Sequence, residues 1–169
     1  MVTKFIPSGF IGTWTEKYVH EVIEKYLSDS WTENDIPKKS EISFGYALGQ
    51  NVGDTRKSVA LKCLDGGQEI YDKGTNYASC MYINKVVAHL EGRLSTGNFQ
   101  KDSPVQLEQT KLKIMNIING NPLALKDTEG FHRMVTTSSD PVYPLKDRPN
   151  FFGLDINITV TRFMTRIEV

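Results

Sequence analysis

The sequence predicts an α+β domain of two layers, a mainly antiparallel sheet of about four to five strands packed by two helices. Three observations carry that expectation. Residues 151–169 alternate apolar and polar side chains over most of their length, residues 14–28 and 103–120 repeat apolar side chains at helical spacing, and the order of elements is helix, strands, long helix, strands. A chain of 169 residues is long enough for one real core and too short for two. The reading is therefore an N-terminal arm over residues 1–12 and a single domain over 13–169.

The arm carries Phe5, Ile6, Phe10 and Ile11 around Pro7, Gly9 and Gly12, more apolar side chains than a free tail holds, so it should dock on its own domain or on a neighbour. Thr13 and Glu16 have capping-box spacing. Tyr18, Val19, Val22, Ile23, Tyr26 and Leu27 then cover one side of a helix expected over residues 14–28. After a polar connection broken by Trp31 and Ile36, Ile42, Phe44, Tyr46 and Leu48 alternate with small residues and predict a strand weakened by two glycines. The segment GQNVGDTRKS at 49–58 has glycines, a lysine and a serine, but Gly53 is followed by Asp54, Thr55 and Arg56 rather than the lysine and hydroxyl of a phosphate loop. A hairpin loop is the expected role.

Residues 59–64 and 81–94 read as strands, joined by the glycine-bearing insert 65–77, which is expected to be a long loop, mobile in the isolated protein and ordered by docking on a partner. Ser103, Pro104 and Gln106 open the second helix with an N-cap, a first-turn proline and a capping partner. Leu107, Leu112, Ile114, Met115, Ile117 and Ile118 spread over a wide arc of it, and Gly120 with Pro122 stops it. A strand near 131–137 leads through Pro141, Pro144 and Pro149 to the last strand. There Leu154, Ile156, Ile158 and Val160 alternate with Asp155, Asn157, Thr159 and Thr161. Then the pattern breaks: Arg162 takes the next place on the apolar face, and Phe163, Ile167 and Val169 fall on the polar one. Either a bulge turns the strand over or a second surface, expected on another subunit, covers these residues.

Composition excludes several classes of function. Lys plus Arg and Asp plus Glu number 20 each, so no bulk field draws in nucleic acid or anionic lipid. Cys63 and Cys80 lie in apolar runs without metal-site spacing and read as buried free thiols of a reducing compartment. No run approaches the roughly 18 apolar residues of a membrane span, and the N-terminus has no signal-peptide core. His20, His89 and His132 are not spaced as ligands, and no hydrolase elbow, zinc-protease or dinucleotide motif is present. The expectation is no catalytic residue, no metal and no cofactor. The sequon at Asn157 sits inside the predicted last strand, a poor place for a glycan.

In size and order of elements the chain resembles the tail terminator (tail completion) proteins of tailed bacteriophages and related viruses. The parts that carry the resemblance are the helix end NIINGNPLAL at 116–125, the proline-rich tip after the next strand, and the closing strand GLDINITVTRF at 153–163. It is a similarity of layout from Thr13 to Val169, and the family has no short signature to carry residues over. The chain differs from short members in its arm and in the insert 65–77. The resemblance implies a virion protein of tail or neck, made in the host cytoplasm. Such a protein forms a ring of about six copies that caps the tail tube and meets a tube protein and a head-tail connector, with the genome passing through. A connector or tube subunit, or a small cytosolic enzyme with dispersed residues, are the alternatives. The expected contact residues are Phe5, Phe10, Ile70, Tyr71, Tyr77, Arg162, Phe163, Arg166 and Ile167.

Overall fold

The last strand, β7 (Phe151–Glu168), is the spine of the fold in the computed structural model, which describes residues 1–46, 48, 57–72, 79–93 and 103–168. One edge of β7 pairs antiparallel with β4 (Ser79–Arg93) with no register shift, from Ser79 opposite Thr165 to Arg93 opposite Phe151. Its other edge is shared by three shorter antiparallel strands. These are β6 (Tyr143–Pro144) near its start, β5 (Arg133–Ser139) in the middle and β1 (Thr3–Pro7) at its end. Beyond β4 lies antiparallel β3 (Val59–Asp72), and beyond that β2 (Ile42–Phe44), which pairs parallel with β3.

The period-two pattern sets the layers. Leu154, Ile156, Ile158 and Val160 of β7 and Ala88 and Leu90 of β4 are fully buried on one face. Against that face pack Ile23 and Leu27 of α1 (Val19–Ser30) and Leu107, Ile114 and Ile118 of α2 (Ser103–Gly120). A third helix, α3 (Lys126–Glu129), is a single turn ended by Gly130 in the left-handed region. Beyond β2 the outer edge of β3 would present bare amides. The Glu24 carboxylate of α1 takes one of them, accepting the Cys63 N–H at 2.8 Å.

The α+β class holds, and four expectations need correction. Among the described residues the sheet has seven strands rather than four to five, because short segments too brief for a sequence pattern fill the second edge of β7. The first helix starts at Val19, not near residue 14: the Thr13 capping box is unused, and residues 8–18 run without helix or strand. The insert 65–77 is not a loop over its first half. β3 continues to Asp72 against β4, its polar run accommodated by a shift between Asp65 and Gln68 where Gly67 takes φ 103°. β2 and β3 are parallel, so their connection is no hairpin; residues 49–56 lie outside the described residues.

The wide arc expected of α2 is narrower in fact, since Leu112 is 57% exposed while Ile114 is fully buried. Ile114→Ala should therefore cost about 2–5 kcal/mol by lost transfer energy and cavity formation. Leu112→Ala should stay within about 0.5 kcal/mol. Urea midpoints of the two variants check this, and equal costs would refute the packing described.

Candidate functional site

The sheet has a second face, turned away from α1 and α2, and its two ends differ in chemistry. Odd-numbered residues of β4 and β7 line it. At one end stand His89, Glu91 and Arg93 of β4 with Phe151 and Asp155 of β7, since antiparallel register places His89 opposite Asp155 and Arg93 opposite Phe151. The segment after β6 folds over this end. Tyr143 fits over Gly153, where a Cβ would come within 2.7 Å of its ring. The Arg148 guanidinium lies 5.5 Å from the Phe151 ring centre, and Arg93 lies 5.4 Å from it.

Together these form a charge clasp. His89 donates from Nδ1 to Asp155 Oδ1 at 2.6 Å and from Nε2 to Glu91 Oε1 at 3.1 Å. Tyr143 donates to the other Asp155 oxygen at 3.0 Å, and Arg148 donates to both Glu91 oxygens, 2.8 Å from Nη1 to Oε2. The hydrogen bonds to Asp155 and then Glu91 raise His89 to about 9. Burial pushes Glu91 up, but the bonds from His89 and Arg148 outweigh it and bring the carboxyl down to about 2. The bond from His89 lowers Asp155, and burial, with the Asp155 charge behind it, raises Tyr143 to about 12. Two cations meet two anions, and both imidazole nitrogens and all four carboxylate oxygens are engaged. Such an arrangement clamps the 143–151 segment to the sheet and holds its protons firmly.

The opposite end of this face gathers apolar side chains among threonines, with Lys4 opposite Ile167 and Arg133 opposite Thr161 at its margin. Phe163 of β7 lies opposite Met81 of β4, Thr161 opposite Ile83, and Thr165 opposite Ile6 of β1, so Phe163, Ile167, Met81, Ile83 and Ile6 share one surface. Phe163 is 38% exposed and meets the His132 ring edge-on at 4.8 Å. The strand does not turn over here. Arg162 and Met164 remain buried on the helix side, and the unbroken pairing with β4 leaves no bulge in β7, so the bulge reading is overturned. Arg162 instead extends the core face with a polar tip: its Nε–H bonds Asn84 Oδ1 at 2.9 Å and its guanidinium lies 5.9 Å from the Tyr82 ring centre.

Of the expected contact residues, then, Phe163 and Ile167 lie together on the free face. Phe5, edge-on to Tyr82 at 6.2 Å, and Ile70, paired opposite Tyr82, join Arg162 on the other side of the sheet. Arg166 is exposed and pairs with Glu168 at 3.0 Å; Phe10 stacks edge-on against Trp14, apart from the rest. Tyr71 belongs to β3, and Tyr77 lies outside the described residues. The clasp went unforeseen. His89 and Glu91 two apart on a strand announce a shared face, but only register brings Asp155 and the 143–148 segment to them.

A further cavity of about 490 Å³ opens between α1 and α3. Lys17 bonds Glu129 across it at 2.8 Å, and no clasp residue lines it. No group of histidine, cysteine and carboxylate side chains suited to a metal ion occurs among the described residues. No described helix is long and apolar enough to cross a membrane. The class defined by fold and surface is a mixed-sheet α+β domain with helices on one face. Comparison with protein-family models and with curated proteins finds no match to the chain.

The clasp makes stability depend on pH in two ways. His89, raised from about 6.5 to about 9, contributes stability that is complete below about pH 6.5 and is lost as pH rises through 9. Glu91, lowered from about 4.5 to about 2, contributes stability present above about pH 4.5 and lost as pH falls towards 2. The thermal midpoint should be highest between these limits. His89→Gln should remove most of the alkaline decline, and a variant with the parent's alkaline limb would show that the clasp does not carry it.

Proposed function

We propose that this chain is a structural subunit of a virus tail or neck, a tail terminator that assembles with copies of itself into a ring on the tail tube. The observation that carries this reading is the apolar end of the free sheet face. Phe163, Met81, Ile83, Ile167 and Ile6 form one surface with no helix over it. Apolar side chains gathered on one side of a small domain mark an interaction surface, and a closed ring buries the same surface in every copy. Burying an exposed aromatic side chain contributes about 1.5–3 kcal/mol. Repeated around a ring of about six copies, that is enough to decide assembly.

The role is that of a scaffold, with no substrate and no resident cofactor. The clasp suits it, because it fixes the long 143–151 segment as a firm edge against which neighbouring rings of tube and connector can seat. A connector or tube subunit would use the same surface and differs in its place along the tail. The unbroken alternation of β7 supports the interface over an internal role for Phe163, since it aims that ring away from the helices.

Phe163→Asp tests the reading. A carboxylate in water costs little, whereas in an apolar contact between subunits it is costly. The variant should keep the parent's thermal midpoint within a few degrees and run as a monomer by size exclusion with light scattering, while the parent gives one closed species of fixed copy number. A parent that stays monomeric at high concentration would overturn the proposal.

A further inference from the structure

Strand β1 is an edge strand joined to the rest of the domain through a long connection. It pairs only with the last five paired residues of β7, from Thr3 opposite Glu168 to Pro7 opposite Met164. Thr3 and Lys4 are exposed, and Phe5 and Ile6 are half-buried. The acceptor is nonetheless specific. The Ser8 N–H donates to the Phe163 carbonyl at 2.6 Å, and the Ser8 and Thr165 hydroxyls share a hydrogen bond at 2.5 Å. Pro7 is buried against Gly130, where a Cβ would overlap its ring and where φ is 68°, so glycine is required on both counts. Phe5 meets Tyr82 edge-on.

The link from β1 to the body is long and lightly held. Residues 8–16 form neither helix nor strand, Ile11 is 98% exposed, and Gly9 and Gly12 both have positive φ. The first firm tether is Lys17 on Glu129. Nine residues can span about 30 Å when extended. The acceptor also borders the apolar surface on which the ring reading rests, because Ile167 of β7 belongs to both and Ile6 of the docked arm adds to that surface.

We propose that in the assembled protein β1 of each copy docks on β7 of the next, so that residues 3–7 are exchanged around the ring. This inference rests on the ring reading. Every copy carries the same acceptor of β7 edge, Gly130 and Tyr82, so an exchanged arm makes the same pairings and the same Pro7 contact as an unexchanged one. The two arrangements differ only in the path of residues 8–16. In a monomer the free copy's own arm is the nearest occupant; in a ring the neighbour seated beside Ile6 and Ile167 offers an equal one.

Cross-linking between separately marked chains decides it. Two single variants, Thr3→Cys and Glu168→Cys, are co-expressed with different tags, and Lys4→Cys with Ile167→Cys serves as a second pair. Adjacent antiparallel pairs alternate between close and wide spacing, so one of the two suits a disulfide. Cys63 and Cys80 are buried and remain. After oxidation of the assembled protein, a disulfide joining the two tags should appear, at least tenfold above single-cysteine controls. If light scattering shows the ring but only the double variant Thr3→Cys/Glu168→Cys cross-links, and within one chain, the arm stays at home: the exchange is refuted and the ring reading stands. A parent chain monomeric throughout refutes both.

Discussion

Everything in this fold depends on β7 being paired along both edges over nearly its whole length. A strand of 18 residues would twist and fray if one edge were open, and a slip of one residue would send its buried face into water. The register with β4 runs through 15 consecutive pairs, and the second edge is filled in turn by β6, β5 and β1. With the backbone held in this way, the side-chain period carries through without correction. The same strand that puts Ile156 and Ile158 under the helices must put Asp155, Asn157 and Phe163 on the opposite face.

That free face is graded along the strand. At its start the clasp gathers two cations and two anions, and the 143–151 segment closes over them so that Glu91 is only 2% exposed. In the middle it is mainly polar: Asn157 bonds Ser138 at 2.9 Å, and Lys85 reaches Glu69 at 2.7 Å. Towards its end it becomes apolar. A buried charge pair is retained only where its hydrogen bonds are complete, and the clasp meets that condition by drawing a partner from a distant segment for each charge. The closed end thus has its charges paired, while at the other end Phe163 stays 38% exposed.

How much of this was legible follows from the range of each interaction. The alternation of Leu154 to Val160 and the amphipathic spacing of α1 are local, and they placed the core face of β7 and the helical layer correctly. The polar run from Asp65 to Asp72 misled because strand propensity is weak there: Asp65, Gly66 and Gly67 read as loop, yet Asp65 and Gln68 both pair with β4 and the two glycines take up the register shift between them. Thr13 and Glu16 misled in the opposite sense, offering a helix start that residues 8–18 do not take, since they lead the chain from β1 across to α1. The clasp was beyond reach because Asp155 and His89 are 66 residues apart and meet through register alone.

The break in pattern after Val160 acquires a physical meaning in this light. Arg162 in place of an aliphatic residue is tolerated because the core face there carries Asn84, whose Oδ1 accepts from Nε–H, and Tyr82, whose ring lies 5.9 Å from the guanidinium. Arg162 is 8% exposed, and that burial pushes its pKa down; Tyr82 of β4 lies opposite it, and β1 joins the other edge from Met164 onward. On the reverse side Phe163 meets the His132 ring and is 38% exposed. The end of β7 is thus held along both edges, and β1 supplies one of them. An element so placed governs two things together: whether the end of β7 is held straight, and how the surface bearing Phe163 and Ile167 is shaped.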